Sequence, residues 1–405
     1  MKMAAIRPGF SVFALSLAVL AFAAAYEGQR TFKASEVLKT SEIEGPHYKV
    51  AQAVPTEGYF WIFSITTDYG PLEAEGKSML LVRLDEVRAL AQLDEVSKSE
   101  VFLASAGTSV LNVGKGAVAA VKDPVATAKG IGGGMKRFGT NLGRTAKQAT
   151  STGKSEAGKT ADAGGVANSV LGINAAARKW AQKVGVDPYT TNPVLKKALS
   201  DLGQIDSAGS IAAKVVVPIP IVVSATATVG NLVWAKDPQA LLKENEQQLR
   251  ALGVSDGVIK KLYLSKGFTL TLHTRLAGAL SAVKAKGSAD YVATAAEADT
   301  EREALFFVES AEMMKSFHQK TPVLELLADS RALVGKTRDG RALGLLPLDW
   351  VSWTETYEKA LREAAERARK ELGAAKLEMK LTGRMSETAM KETATLGWAV
   401  LEKVT

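Results

Sequence analysis

Residues 153–160 carry the most specific chemical spelling in the chain. Gly153, Gly158, Lys159 and Thr160 fit the phosphate-binding pattern G-x-x-x-x-G-K-[ST]. That pattern works when backbone N–H groups of a Gly-rich loop surround phosphates between a buried strand and the start of a helix. Neither flank meets the requirement. Lys147, Gln148, Thr150, Ser151 and Thr152 precede the match, which is no apolar strand. Ala161, Asp162, Ala163, Gly164 and Gly165 follow it, which is a poor helix start. We read the spelling as a product of local Gly/Lys/Thr-rich composition and nucleotide binding as the lesser alternative. Gly130 and Gly132 begin a dinucleotide fingerprint, but Met135 occupies the third glycine position.

Other reactive residues are sparse. The chain has no cysteine and three histidines, His47, His273 and His318, none in a metal-ligand spacing. His273 lies among Leu270, Leu272 and Leu276, which suits a core or interface imidazole. Two S-x-x-K pairs occur, Ser151/Lys154 and Ser281/Lys284, without the companion elements of a serine acylase. No G-x-S-x-G elbow is present. The carboxylate pairs Glu73/Glu75 and Glu301/Glu303 read as solvated faces. A glycosidase's two acids need not be close in sequence, so a hydrolase built from dispersed carboxylates or a Ser/Lys pair stays open as the second reading. The sequence therefore nominates no catalytic residue, no cofactor site and no metal site.

Stepping outward, 405 residues with 46% apolar and 23% charged composition suffice for two or three small cores. Lys2 and Arg7, an apolar run over 10–22 and Ala23, Ala24 and Ala25 have the order of a cleavable export leader, with cleavage after Ala25. The run is shorter than the ~20 residues of a membrane span. Losing the leader takes the formal charge from +8 to +6. A periplasmic location follows as the expectation, with secretion second. Without cysteine the mature chain has neither a lipid-attachment thiol nor a disulfide.

The pattern along the chain predicts an α+β fold, predominantly helical. Residues 26–45 read as a polar arm with one helical turn. A β-β-α unit follows within 26–105: strands near Tyr48, Val50 and Val54 and over 59–67, a turn over 68–71, a return strand from Leu72, and a helix over 77–96. Tyr59, Trp61, Phe63 and Ile65 share one face and Phe60 and Ile62 the other, which predicts a strand covered on both sides. Residues 106–165 are a basic, Gly/Lys-rich linker or surface segment. A helical part over 166–321 holds a loop at 184–193, a helix from Asn192 and Pro193 to about Gly203, and four helices over 238–252, 255–264, 268–286 and 289–319. Residues 215–234 are uncharged and read as core, with partner or membrane contact as the alternative. Residues 322–405 predict an α+β part: a hairpin at Asp339-Gly340, a helix over 352–372, a strand over 376–381, a helix over 386–396 and a closing strand.

Thr66, Thr67, Asp68, Tyr69 and Gly70, together with Val186, Asp187, Pro188, Tyr189, Thr190, Thr191, Asn192 and Pro193, make the region 45–203 similar to exported bacterial proteins of unknown function. The resemblance implies export and a shared architecture and transfers no site residue. The expected function is non-catalytic: a periplasmic or envelope-associated binding or structural protein whose basic segment meets an anionic envelope surface or another envelope protein. Only Phe138 interrupts that segment as an aromatic, so nucleic acid is not an expected partner. An integral membrane protein is not expected either, and oligomeric state is not legible.

Overall fold

A computed structural model describes residues 25–99, 174–206 and 233–404. The phosphate-loop match, Gly130/Gly132, Ser151/Lys154, the basic segment and nearly all of 215–234 lie outside the described residues. The fold is α+β.

The chain opens with β1 (Thr31–Lys33), two short helices α1 (Ala34–Val37) and α2 (Thr40–Ile43), and β2 (Glu44–Gly45). Residues 26–45 are thus no loose arm, because β1 is paired along its length. Next come β3 (Tyr48–Val50), β4 (Ala53–Glu57), β5 (Phe60–Thr67) and β6 (Leu72–Glu75). All pairs are antiparallel. β5 carries β3 and β4 in succession on one edge and β6 on the other, and β1 extends the sheet beyond β4. Trp61, Phe63 and Ile65 point into the core. The opposite face differs from the expectation: Phe60 is buried there, but Ile62 is half-buried and Ser64 and Thr66 are exposed. β5 is covered on one side only, and a row of polar residues remains open on the other.

Gly76 turns the chain from β6 into α3 (Lys77–Lys98) at φ +90°, a conformation glycine takes without strain. α3 packs on β5 and β6 through Leu80, Leu84, Val87 and Leu90, all buried. α4 (Ala175–Val184) and α5 (Pro193–Ile205) lie against each other and against α3. Asn192 caps α5 with Pro193 as first residue, as the sequence predicts. α6 (Pro238–Ala251), α7 (Asp256–Leu264) and α8 (Leu270–Val283) follow. The predicted helix over 289–319 is two helices, α9 (Ser288–Ala295) and α10 (Glu301–His318). Thr300 is the reason: its hydroxyl accepts from the Glu303 N–H and starts a new helix. α8 and α10 form the central helix pair.

The second sheet is mixed. β7 (Val323–Leu326), β8 (Leu333–Thr337) and β9 (Arg341–Leu346) form an antiparallel meander, turning at Asp339-Gly340 as predicted. After β10 (Trp350–Val351), α11 (Glu355–Lys370) returns the chain to β11 (Lys376–Leu381), parallel to β9. β12 (Arg384–Met385) pairs with β10, and α12 (Glu387–Thr395) leads to β13 (Trp398–Leu401), parallel to β11. Helical crossovers are what parallel neighbours require. The strand order is β13-β11-β9-β8-β7. One hydrophobic core runs through both sheets and the helices between them. Among the described residues no helix is long and apolar enough to cross a membrane.

Candidate functional site

The two sheets meet where β9 runs out. Asp349 sits in the turn before β10, and its backbone N–H and that of Trp350 both donate to the Tyr59 carbonyl, at 3.1 Å each. The approach is close at the neighbouring turn too: a Cβ on Gly383 would fall 2.0 Å from the Asp349 carbonyl oxygen, so only glycine fits. The Asp349 side chain then reaches across. Its Oδ2 accepts the N–H of Trp61 on β5 and of Lys77 at the start of α3, both at 3.1 Å. A carboxylate at a helix N-terminus is favoured by the free N–H groups there. Enclosure nevertheless pushes its pKa up to about 6, with the two N–H groups and Arg302 pulling the other way.

Arg302 on α10 is the cation beside it. The side chain is 4% exposed, donates to Ser78 (3.0 Å) and Glu309 (2.7 Å), and lies 4.3 Å over the Phe60 ring. Its Nε has no partner.

About two turns further along α3 a second node forms. Glu86 is 2% exposed and accepts from Arg83 (2.9 Å), from the Thr190 hydroxyl and from the Asn192 amide (3.0 Å). Arg83 also reaches Glu301 on α10 at 2.9 Å, and Thr191 donates to the same carboxylate. The loop 186–192 is held from its other side as well. Asp187 accepts from the Tyr189 N–H (2.8 Å) and the Thr271 hydroxyl (2.6 Å), and Trp234 donates its indole N–H to the Val186 carbonyl (2.8 Å). Burial raises Asp187 to about 6 despite those two bonds. Arg275 on α8 pairs in a two-bond fork with Glu312 (2.9 and 2.7 Å). The result is a polar seam along one side of α10, through Glu301, Arg302, Glu309 and Glu312, joining α3, α8, the 186–192 loop and the Asp349 turn.

Most of these carboxylates are spent on the fold: their lone pairs hold backbone N–H groups, hydroxyls or guanidinium forks. Glu75 differs. It shares the open face of the first sheet with Glu73, two residues before it, and with Glu57, opposite Phe60. Burial, with Glu57 and Glu73 adding repulsion, pushes Glu75 up to about 7 while Arg302 opposes. Among the described carboxylates it alone has a buried oxygen without a partner. Such a group can hold or release a proton near neutrality.

The residues singled out in the sequence do not converge. His47 pairs with Asp68 at 2.9 Å on the surface. His318 accepts the Val323 N–H at 3.1 Å. His273 is buried beside Asn245 and Tyr263. The Ser281 hydroxyl has no hydrogen-bond partner, so Lys284, which closes α8 in a left-handed conformation, does not activate it. Glu75 and Glu303 are not solvated-face residues: Glu303 is 6% exposed and accepts the Asp299 N–H at 2.8 Å. Among the described residues no group of three or more His, Asp and Glu side chains could hold a metal ion. Sequence reasoning missed Asp349, Arg302, Glu86 and Asp187. The signal available was the pair of prolines fixing the loop that carries Asp187 and Asn192. Comparison of the chain with protein-family models, with curated proteins and with solved structures gives no match.

Proposed function

We propose that this is an exported, non-catalytic envelope protein whose folded α+β body presents the basic segment 106–165 to an anionic surface. One observation carries the reading. The segment holds Lys115, Lys122, Lys129, Lys136, Arg137, Arg144, Lys147, Lys154 and Lys159 against Asp123, Glu156 and Asp162, a net +6. Lys2 and Arg7 in the leader supply +2, so the whole formal excess of +8 lies in these two stretches and the rest of the chain is neutral. A charge concentrated in 60 positions, most of them Gly, Ala, Ser or Thr, is what a polybasic contact with anionic lipid requires, at about 1 kcal/mol per Lys or Arg near the surface. The body supports the reading from the other side, because its buried ions bind one another. Periplasmic location and division into an N-terminal part, a helical middle and a C-terminal part belong to the same proposal.

The test is co-sedimentation with vesicles containing 30 mol% phosphatidylglycerol or none. The chain lacking leader and the same chain lacking 106–165 are compared at about 50 and 300 mM salt. We expect binding only to anionic vesicles, only with the segment, and weaker at high salt. Equal binding by both chains removes the proposal.

A further inference from the structure

The first described residues run across the protein rather than away from it. Glu27 donates its backbone N–H to the Trp353 carbonyl at 2.7 Å. Its carboxylate accepts the Trp353 N–H at 2.6 Å and the hydroxyl of Ser386. Ser386 is itself the N-cap of α12, accepting from the Ala389 N–H at 3.0 Å. The Tyr26 hydroxyl donates to Glu358 on α11 at 2.9 Å. Arg30 is fixed to β4 from the other side: its N–H donates to the Thr56 hydroxyl oxygen (3.0 Å), and its carbonyl accepts the Thr56 N–H (2.8 Å). Its guanidinium lies over Phe32 (4.5 Å) and Trp350 (5.2 Å). Residues 26–30 are therefore a strap stitched to the first sheet at one end and to the last quarter of the chain at the other.

The bond expected to be cut on export, between Ala25 and Tyr26, lies one residue before Glu27. A peptidase takes its substrate as an extended strand and pairs with backbone on both sides of the scissile bond. In the folded chain the Glu27 N–H and side chain are already used. We propose that docking of residues 26–30 ends the period in which the leader can be removed: the Ala25–Tyr26 bond is cut before Trp353 and Ser386 fold around Glu27, and a chain that folds first keeps its leader. The step is ordinary hydrolysis by a leader peptidase. Water adds, the C–N bond breaks, Ala25 leaves as a carboxylate and Tyr26 keeps the new α-ammonium. The topology sets the interval. Trp353 is 326 residues after Glu27, so at about 5–20 residues per second its synthesis follows by roughly 15–65 s. The inference rests on the leader reading above.

The experiment uses the full-length precursor. It is either diluted from urea directly into leader peptidase in detergent micelles or refolded first, and cleavage is followed by gel shift and N-terminal sequencing. We expect freshly diluted chains to be cut with Tyr26 as the new N-terminus. Refolded chains should be cut on the order of 100-fold more slowly, since three hydrogen bonds must open. Glu27→Ala should restore most of the rate in refolded precursor. Equal rates before and after folding, with Tyr26 still the product N-terminus, overturn the protection while leaving the leader reading intact. No cleavage after Ala25 in either form overturns both. Should Glu27→Ala fail to fold, amide exchange at Glu27 in refolded wild-type precursor decides: protection is required, and exchange at the free-peptide rate refutes it.

Discussion

His273 makes stability depend on acid in a way that can be isolated. The residue has no exposed surface. One ring nitrogen meets the Asn245 amide at 3.2 Å, and the other has no partner. Tyr263 stands edge-on at 4.4 Å, and no carboxylate bonds the ring. Burial pushes its pKa from 6.5 down to about 3. The unfolded chain therefore takes a proton that the folded chain refuses. With the folded value below the unfolded one, this contribution is complete above pH 6.5 and is lost as pH falls toward 3. The limiting slope is about 1.4 kcal/mol per pH unit. Between pH 6.5 and 4.5 the loss comes to about 2 kcal/mol. Asp187, Asp349 and Glu75 titrate nearby with raised values, so their contributions run the other way and fade as pH rises. Comparison with His273→Phe cancels them. Asn245 keeps its bond to Thr274 at 2.9 Å in that variant. Urea unfolding at pH 7.5, 6.5, 5.5 and 4.5 should show wild type losing about 2 kcal/mol relative to the variant across the lower three points. Proton NMR gives a direct check, because the chain has only three histidines. The His273 resonance should stay in its neutral position to pH 4. A pH-independent difference, or a His273 resonance titrating near 6.5, refutes the reasoning.

Two further substitutions probe the seam. Asp349→Ala leaves the Trp61 and Lys77 N–H groups without an acceptor and should cost about 2–5 kcal/mol in thermal or chemical unfolding. Asp349→Asn can keep an oxygen at the Oδ2 position and should cost far less. Because the folded pKa of about 6 lies above the ordinary 3.8, the Asp349 contribution is full below pH 3.8 and fades as pH rises through 6. The Asn variant should accordingly gain on wild type between pH 4 and 6, and parallel profiles would sink the assignment. Glu86→Ala takes the acceptor from the Thr190 hydroxyl and the Asn192 amide and leaves Arg83 with Glu301 alone; it should cost about 2–5 kcal/mol, with new protease cuts in the 186–192 loop. A loss below about 1 kcal/mol would mean the node does not hold that loop.

The legible parts of the fold were those set by local chemistry. The Asn192-Pro193 cap, the Asp339-Gly340 hairpin and the apolar spacing of α3 each depend on residues close in sequence, and each forms as read. Two errors have different causes. Thr300 breaks the run 289–319 because a hydroxyl cap at a helix start outweighs continuing apolar periodicity; Thr300 and Glu303 spell that cap within a local window. Residues 31–33 pair because β4 offers an edge 20 residues away, which no local window shows. The candidate seam was less legible still. Arg83 and Glu86 on α3 carry the spelling of a solvated helix face, and only the return of the 186–192 loop and of α10 buries Glu86. Asp349 lacks any motif, and its role follows from meeting β5 and α3 across about 270 residues of chain.

Charge is divided between the two parts of the molecule in opposite ways. In the seam, Arg302 is set against Glu309 and Asp349, Arg275 against Glu312, and Arg83 against Glu86 and Glu301. Arg275, Arg302 and Glu86 are buried while Arg83, Glu301, Glu309 and Glu312 are half-buried, so salt screens these pairs less than it would exposed ones. With their charges paired inside the fold, they offer little to an external ligand. The nine basic residues of 106–165 are spread among Gly, Ala, Ser and Thr with three acids to offset them, a net +6. At physiological ionic strength charges more than about 8 Å apart are largely screened, so an exposed basic stretch acts chiefly at contact distance. Its charge gains free energy only against a surface dense enough in anions to be felt at contact distance. The proposed anionic partner is therefore favoured by the distribution of charge rather than by a net value that is modest for 405 residues.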